Sequence, residues 1–342
     1  MKSQNNKNYR KGQANTYKEL HTSEHYKKYL ESRSADYKEY RNKWEQASSH
    51  YMDYGYPINL DIEIAGVCNL KCPMCPLTVK GGKDRFGKHL QFFPYELFCR
   101  IIDEASEIGV CSVKLTWMGE PLMHPKIVDM VKYAKSKDII DVSFNTNATL
   151  LNEKLSQKLL ETDIDGIFFS FDTSDKETYE KIRVGAKFED VVKNIQRFCE
   201  MRNQTGKLNP ITRISSLVFP DKEEEFSQIV EMFKDTVDII SRLTPLDMAK
   251  NYSYLKEHKA DIQFSCNAPW QRMVISVDGR TTFCCFDTAC NCLATKNIND
   301  TTIKELWNSP QAKEFRKLHQ ESRWYDNKQC SECCLVAHSS GF

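Results

Sequence analysis

The 342-residue sequence lacks a surplus of charge of either sign and lacks any long apolar run. Its 48 Lys and Arg residues almost cancel its 47 Asp and Glu residues, which removes the electrostatic basis for nucleic acid or an anionic membrane as the main partner. No segment approaches the roughly 20 apolar residues of a membrane span, and the start MKSQNNKNYRKGQ lacks the apolar centre of a signal peptide. We therefore expect a soluble, cytoplasmic protein with no membrane span and no nucleic-acid partner.

Cysteine, in contrast, is abundant, with 14 residues in the chain. Many cysteines suggest disulfides in a small secreted domain, but in a large intracellular chain they indicate metal binding or redox chemistry. Three of them lie in the segment GVCNLKCPMCPL at 66–77, and a second group lies between Cys266 and Cys334. The sequence therefore predicts two separate thiol sites.

Strand-like and helical patterns alternate through the middle of the chain. The first strand-like segment, INLDIEI, alternates apolar and polar residues, which is typical of a β-strand. Six such segments are separated by helical patterns, and they lie at 58–64, 111–117, 139–145, 166–171, 212–219 and 237–243. This order predicts an α/β fold with a parallel, barrel-like sheet, in which ligands bind at the carboxyl ends of the strands.

Composition divides the chain into three regions. Residues 1–56 are rich in Lys, Glu and Tyr and predict a helical extension, with aromatic residues near helical spacing that pack on the main body. Residues 57–255 form the predicted core. Residues 256–342 hold the second cysteine group and a hairpin that turns at Asp278–Gly279, which predicts a small separate module.

Cys68, Cys72 and Cys75 form a C-x3-C-x2-C pattern directly after the first predicted strand. Thiolates are the ligands of a 4Fe–4S cluster, whose four irons would leave one corner open if only three cysteines bind. An open iron can bind a small molecule through an amine and a carboxylate. A zinc site would require a fourth ligand, and neither a fourth cysteine nor a nearby histidine completes this loop.

This pattern, after the first strand of a six-strand α/β unit, resembles the radical S-adenosylmethionine (SAM) enzymes. The resemblance implies a partial (β/α)6 TIM-like barrel of the radical SAM type. It also implies that the open iron binds the methionine moiety of SAM, and that reductive cleavage yields a 5′-deoxyadenosyl radical. A flavodoxin or ferredoxin would supply the electron.

The resemblance further implies contacts between SAM and residues at the strand ends. WMGEP is similar to the family's Gly-Gly-Glu-Pro motif, with Met118 in place of the first Gly, and FNTNATLL is similar to a Thr-Asn-Gly segment, with Ala148 in place of Gly. Without the resemblance, Asn147 of FNTNATLL would be an ordinary turn residue and Arg183 would be a helix-surface cation. The implied cofactor-binding residues are Met74, Gly119, Glu120, Asn147, Ser170 and Arg183.

The C-terminal cysteines resemble the SPASM or twitch extension of radical SAM proteins, which binds auxiliary iron–sulfur clusters. The resemblance implies one auxiliary 4Fe–4S cluster with four protein ligands: Cys266, Cys284, Cys330 and Cys333. A structural zinc site with four cysteines is the alternative that spacing leaves open. Other cysteines of this region could replace a ligand or present a thiol to the pocket: Cys285, Cys290, Cys292 and Cys334.

These features predict an enzyme that abstracts a hydrogen atom from its substrate. The expected reaction oxidises or epimerises a small sugar-like or aminocyclitol molecule, with the auxiliary cluster as electron acceptor. Asn145 and Asp172, at strand ends, are candidates to line the pocket, whereas the general base is not identified. Two alternatives are a maturase that forms thioether bonds or crosslinks in a ribosomally made peptide, and a non-catalytic metal-binding scaffold.

Overall fold

One large sheet organises the chain. The computed structural model describes residues 10–12, 17–79, 92–218, 222–243, 264–284, 286–287, 290, 297–331 and 333. The strands of these residues are β1 (Arg10–Gly12), β2 (Tyr17–Thr22), β3 (Asn59–Ile62), β4 (Ser112–Lys114), β5 (Asp141–Thr146), β6 (Gly166–Ser170), β7 (Ile211–Leu217), β8 (Ile239–Leu243), β9 (Phe264–Cys266), β10 (Arg272–Ile275) and β11 (Thr281–Thr282).

Helices separate most of these strands. The longer ones of the described residues are α1 (Glu24–Ser32), α2 (Ala35–His50), α4 (Tyr95–Ile108), α5 (Ile127–Ser136), α6 (Glu153–Leu160), α7 (Lys176–Ile182), α8 (Phe188–Gln204) and α9 (Glu223–Phe233), with the single turn α3 (Pro76–Val79) after the cysteine loop. Further helices lie at Ala268–Gln271, Ile303–Trp307, Pro310–Gln320 and Lys328–Ser331. None of the helices in the described ranges is both long enough and apolar enough to cross a bilayer.

Strands β3 to β8 lie side by side in chain order, and each pairs in parallel with the next. A parallel pair requires a crossover connection, which the helices supply. This arrangement confirms the predicted α/β fold class, and it confirms each of the six strand-like segments to within a few residues. It brings the carboxyl ends of all six strands to the same edge of the sheet.

The two faces of this sheet differ in polarity. One set of alternate residues packs under the helices in the main core, including Leu60, Ile62, Val113, Val142, Phe144, Ile167, Phe169, Ile214 and Ile240. Because successive side chains of a strand point to opposite faces, the intervening residues lie on the concave face. They include Asp61, Glu63, Lys114, Ser143, Asn145, Phe168, Ser170, Arg213, Ser215 and Ser241. The interior of the partial barrel is therefore mostly polar.

Both edges of the six-strand unit are paired within this chain. β2 pairs antiparallel with β8, and β10 pairs in parallel with β3, which gives nine strands in the described sheet. The N-terminal region was expected to be helical, and this is only partly correct, because β1 and β2 precede its two helices. An exposed sheet edge leaves backbone donors and acceptors unpaired, and β2 satisfies those of β8.

Helices α1 and α2 pack at the amino end of the strands, as their aromatic spacing predicts. Tyr29 packs with Ile211 and Ile239, and Tyr40 packs with Ile58 and its neighbours. Arg33, between the two helices, donates to Asp165 Oδ1 and to the carbonyl of Ile140 at 3.0 and 3.1 Å. These contacts close the end of the barrel that lies opposite the cysteine loop.

Strand β10 of the cysteine-rich C-terminal region pairs with β3 and is part of the main sheet. The hairpin of β10 and β11 turns at the expected place, where Gly279 has a φ of +82°. A left-handed φ favours glycine, and a Cβ at this position would lie 2.2 Å from Asn297 Oδ1. The change in composition along the chain did not predict this strand pairing, and the boundaries of the C-terminal domain stay a prediction.

Candidate active site

The three cysteines of the first group lie on the loop between β3 and α3. Cys75 N donates to Cys72 O at 3.0 Å, which forms a turn, and Leu70 N lies 3.4 Å from Cys68 Sγ. Lys71 N donates to Val184 O at 2.9 Å, so the loop is fixed to the segment that follows α7. The backbone therefore holds the three thiols together at the carboxyl end of the sheet.

The chemistry of this loop fits an iron–sulfur cluster. Cys72 is buried, Cys68 and Cys75 are half-buried against the main core, and none of the three is in a disulfide. Burial raises the pKa of the Cys68 thiol to about 11, because desolvation disfavours the thiolate. Iron binding displaces such protons, so these thiols become ligands when the metal supplies the compensating charge.

Gly119 allows the end of β4 to lie directly against the cysteine loop. A Cβ at this position would lie 1.9 Å from Ala65 O and 2.7 Å from Val67 O, which no side chain can tolerate. Glu120 N donates to Val67 O at 2.9 Å across the same contact. The glycine of the GEP segment is therefore required by backbone packing. Its expected contact with SAM stays a prediction.

The Glu120 carboxylate joins the ends of β4 and β5. Its Oε1 accepts from Thr146 Oγ1 at 2.7 Å and from Leu122 N at 3.1 Å, and its Oε2 accepts from Asn147 N at 2.8 Å. Burial raises the pKa of Glu120 to about 7, although these three donors favour the carboxylate and lower the pKa. Sequence reasoning assigned Glu120 to the cofactor, and the structure adds a structural role within the chain.

Asn147 connects the end of β5 to the cysteine loop. Its Nδ2 donates to Asn69 Oδ1 at 3.0 Å and lies 3.8 Å from Cys68 Sγ, while its Oδ1 accepts from Thr149 N at 2.9 Å. The next residue, Ala148, has a φ of +59°, the left-handed conformation that glycine adopts without strain. The alanine that replaces the Gly of the similar motif therefore has a backbone conformation that favours glycine.

Arg183 and Asp172 form an ion pair beside the cysteine loop. Asp172 Oδ2 accepts from Arg183 Nε at 2.9 Å and from Nη2 at 2.5 Å, and Asp172 Oδ1 accepts from Leu217 N at 3.0 Å. The guanidinium also reaches Cys72 and lowers the pKa of that thiol, against the larger, raising effect of burial. Asp172 was expected to line the pocket, and the structure shows that it holds Arg183 in position.

The remaining predicted cofactor and pocket residues lie on the cysteine loop and near the carboxyl ends of β5 and β6. Met74 is 47% exposed on the cysteine loop, and Ser170 ends β6 on the concave face, next to Ser215 in the register of β7. Asn145 also lies on the concave face. Its Oδ1 is buried and has no hydrogen-bond partner within the described part of the chain. An unsatisfied buried acceptor is costly, so this atom indicates a place for a ligand donor.

Sequence reasoning missed Glu63. It follows β3, is fully buried, lies on the concave face and accepts from Val277 N at 3.1 Å through Oε2. The signal was present in INLDIEI, whose polar residues Asn59, Asp61 and Glu63 share one face of a strand. All three residues are buried, and buried carboxylates on an interior face are a mark of a functional cavity.

Four cysteines of the second group come from three separate segments. Cys266 ends β9, Cys284 follows β11, and Cys330 and Cys333 lie at the last helix, where Cys333 N donates to Cys330 O at 3.0 Å. All four contact or belong to the main core. The thiol chemistry and partial burial fit an iron–sulfur cluster.

The expected ligands of a cluster and of a single zinc ion differ in how closely the thiols converge. Among the residues that the structure describes, no three His, Cys, Asp or Glu side chains converge on one metal ion. Zinc would require thiolates at about 2.3 Å, whereas a cluster spreads its ligands over several irons. Cys290 is buried with a φ of +53°, and Cys285, Cys292 and Cys334 lie outside the described residues.

His319 is a second residue that sequence reasoning missed. It is 1% exposed, and Cys266 N donates to its Nδ1 at 3.2 Å, while its Nε2 lies 3.5 Å from Cys330 Sγ. Burial lowers the pKa of His319 to about 4, so the imidazole is neutral. Its place in a helical segment, eleven residues before Cys330, gave no sign of these contacts.

Comparison with protein families agrees with this geometry. The family model described as the radical SAM superfamily matches residues 62–233, about half of the chain. A model described as an iron–sulfur cluster-binding domain matches residues 266–334. The two matched ranges contain the two cysteine groups, so the cofactors are SAM and iron–sulfur clusters.

Two curated proteins illustrate the sequence relationship. A probable GTP 3′,8-cyclase of Methanococcus maripaludis is 33% identical over 157 residues, or 46% of this chain and 50% of that protein. The GTP 3′,8-cyclase of Desulforamulus reducens is 31% identical over 185 residues, or 54% of each protein. The chain therefore spans about half the length of the curated relatives that it matches.

Two solved structures share the fold over most of the chain. The structure of BtrN in complex with AdoMet and 2-DOIA has a TM-score of 0.52 at 18% identity, and covers 82% of this chain and 94% of that one. Streptococcus suis SuiB bound to its precursor peptide SuiA has a TM-score of 0.57 at 17% identity, with 87% and 74% covered. This chain belongs to the radical SAM superfamily and carries a C-terminal iron–sulfur cluster-binding domain.

Proposed function

We propose that this protein is a radical SAM enzyme that oxidises, or alternatively epimerises, a small polyhydroxylated molecule such as a sugar or an aminocyclitol. The observation that supports this proposal most strongly is the polar concave face of the barrel beside the three-cysteine loop. Hydroxyl, amide and carboxylate groups of Glu63, Asn145, Ser170 and Ser215 lie on that face. Such groups match the donors and acceptors of a substrate with many hydroxyl groups.

We propose that Cys68, Cys72 and Cys75 hold the SAM-binding cluster. When bound and reduced, this cluster and SAM supply a 5′-deoxyadenosyl radical that takes a hydrogen atom from the substrate. Arg183, held by Asp172, presents a planar cation that suits the SAM carboxylate. Because the ion pair and the concave face adjoin the same loop, SAM and substrate can occupy neighbouring positions.

We propose that Cys266, Cys284, Cys330 and Cys333 hold one auxiliary cluster that accepts an electron. Oxidation of an alcohol to a ketone removes one hydrogen atom from carbon, one proton from oxygen and one electron. The hydrogen atom would go to the radical derived from SAM, and the electron to the cluster that these four cysteines would hold. We assign Glu63 as the base that removes the hydroxyl proton, because its carboxylate is buried on the concave face.

A peptide is the alternative substrate. A peptide could add as a strand to a free sheet edge, which is a common mode of peptide recognition. In this chain β2 already pairs with β8 and β10 already pairs with β3. The two edges of the six-strand unit are therefore occupied, so a peptide strand cannot add directly beside β3 or β8, and β11 and β2 are the outer strands of the described sheet.

The test is an anaerobic assay of the reconstituted, reduced protein with SAM. Candidate sugars and aminocyclitols carry deuterium at their hydroxyl-bearing carbons, and mass spectrometry follows the label. A substrate should transfer deuterium to 5′-deoxyadenosine and yield a ketone that is two hydrogens lighter. Epimerisation would instead return one hydrogen from solvent and leave the mass of an unlabelled substrate unchanged.

Matched variants separate the steps of this proposal. A chain with Cys68, Cys72 and Cys75 all replaced by Ala should form no 5′-deoxyadenosine. Glu63→Gln should still transfer deuterium but form at least about tenfold less ketone, because proton removal is slowed. Absence of 5′-deoxyadenosine from the intact protein would overturn the enzyme proposal, and stimulation by a precursor peptide alone would favour the alternative.

A further inference from the structure

His319 lies between two of the proposed auxiliary-cluster ligands. The helix Pro310–Gln320 carries it into the core, where it contacts the Cys266 backbone through Nδ1 and the Cys330 side chain through Nε2. The Phe315 ring, one turn earlier, packs with its centre 5.0 Å from that of the imidazole. The contacts at its two nitrogens therefore set the orientation of the imidazole ring.

These contacts determine which nitrogen carries the proton. Cys266 N–H is a donor, so Nδ1 accepts and has no proton of its own. The proton of a neutral imidazole then lies on Nε2, which is 3.5 Å from Cys330 Sγ. A thiolate at Cys330 would therefore accept a hydrogen bond from Nε2–H.

We propose that His319 is a positioning residue that donates an N–H···S hydrogen bond to Cys330 and raises the reduction potential of the auxiliary cluster. This inference rests on the proposed assignment of Cys330 as a ligand. Hydrogen bonds to cluster sulfurs stabilise the more negative, reduced state, because that state places more charge on sulfur. A neutral donor gives this stabilisation without adding a second charge to a buried site.

The reduction potential of the auxiliary cluster decides in which direction electrons flow. A higher potential makes the auxiliary cluster a better acceptor of the substrate electron. It also makes the cluster a weaker reductant, so it is less able to cleave SAM by itself. His319 would thus help to separate the role of the auxiliary cluster from that of the cluster at Cys68, Cys72 and Cys75.

The experiment measures the auxiliary cluster alone. The full-length chain with Cys68, Cys72 and Cys75 replaced by Ala is reconstituted, and its reduction is followed by electron paramagnetic resonance against potential. His319→Leu removes the donor, whereas His319→Gln places an amide N–H in a similar position. Phe315→Leu is the matched control, since it loosens the same packing and leaves the imidazole in place.

We expect His319→Leu to shift the reduction equilibrium about tenfold toward the oxidised cluster, which for one electron is about 59 mV. His319→Gln should retain most of the wild-type potential, and Phe315→Leu should change it about threefold or less. An unchanged potential in His319→Leu overturns the proposal. An equal shift in His319→Leu and Phe315→Leu also overturns it, because packing alone would then be the cause.

A second measurement covers the case in which the Leu variant fails to hold a cluster. With nitrogen-15 histidine in the otherwise unlabelled chain, the reduced cluster should show a nitrogen coupling that disappears in His319→Gln. No such coupling means no hydrogen bond, and the inference fails. Cys330→Ala tests the ligand assignment independently: full iron content in that variant would contradict the assignment itself, whatever His319 does.

Discussion

The two thiol sites of this protein are built in opposite ways. Cys68, Cys72 and Cys75 lie within one loop, whose own turn and few backbone contacts hold them together. The four C-terminal cysteines come from three segments that only the folded core brings near each other. A local site can be identified from its spacing, whereas an assembled site depends on residues far from any cysteine.

This difference predicts that separate mutations will damage the two sites separately. The first site should be sensitive to any change that moves the backbone of its loop. The second should be sensitive to the packing between the helices Ile303–Trp307 and Pro310–Gln320 and the strands beside them.

Gly119→Ala should have the largest effect. A new Cβ would lie 1.9 Å from Ala65 O, so the cysteine loop must shift away from β4. We expect a loss of about 3 kcal/mol in the free energy of unfolding, measured by urea denaturation, and about half of the bound iron. Gly206→Ala is the control, because nothing lies within 4 Å of its Cβ, and it should cost about 1 kcal/mol. Equal costs would contradict the close packing.

Arg316→Met should damage the C-terminal site selectively. Arg316 is buried, donates to Pro269 O and Trp307 O at 2.9 and 3.0 Å, and lies 4.1 Å from the centre of the Trp307 ring. Its loss leaves two buried carbonyls without donors, which we expect to cost about 2 to 3 kcal/mol in a denaturation experiment.

The spectroscopic signal of the auxiliary cluster should then weaken while the SAM-dependent signal of the first cluster remains. Arg323→Met is the matched control, because Arg323 pairs with Glu321 and Asp326 at the surface, and it should cost less than about 1 kcal/mol. Loss of both cluster signals in Arg316→Met would show that the two sites depend on the same packing.

Glu120→Gln should change how stability depends on pH. The pKa of Glu120 is raised to about 7 in the folded chain, so the folded state binds this proton more tightly than the unfolded state. The stability that this proton contributes to the folded state is therefore present at low pH and is lost as the pH rises through about 7. We expect the wild type to lose about 2 kcal/mol from this source between about pH 5 and pH 8, and the variant to lack this loss.

Urea denaturation at the two pH values measures this difference. Glu177→Gln is the control, because Glu177 is exposed and forms a surface pair with Lys181, so the stability of this variant should follow the wild-type pH dependence. A Glu120→Gln profile with the wild-type slope would mean that other groups cause the pH dependence.

Much of the first site could be predicted from the sequence because its information is local. The cysteine spacing and the alternation in INLDIEI are readable along the chain, and the strand order follows from helices that separate successive strands. The role of Glu120 could not be read in this way. Its partners Thr146 and Asn147 become neighbours only when β4 and β5 pair.

The C-terminal site could be predicted only in part, for the same reason. The cysteines were visible, but the pairing of β10 with β3 and the position of His319 depend on contacts between distant segments. Likewise, nothing in the polar residues 17–22 indicated that they would complete the far edge of the sheet at β8. Pairing at a sheet edge depends on which backbone groups are available, and composition does not report this.

The pairing of β10 with β3 also fixes the register between the strands that lead to the two thiol sites. The loop of Cys68 follows β3, and the hairpin that leads to Cys284 starts from β10, so the two thiol sites extend from adjacent, hydrogen-bonded strands. Parallel strands cannot slide past one another without breaking their ladder. The strands that lead to the two sites therefore keep a fixed register, and each thiol segment starts from a fixed position on the sheet.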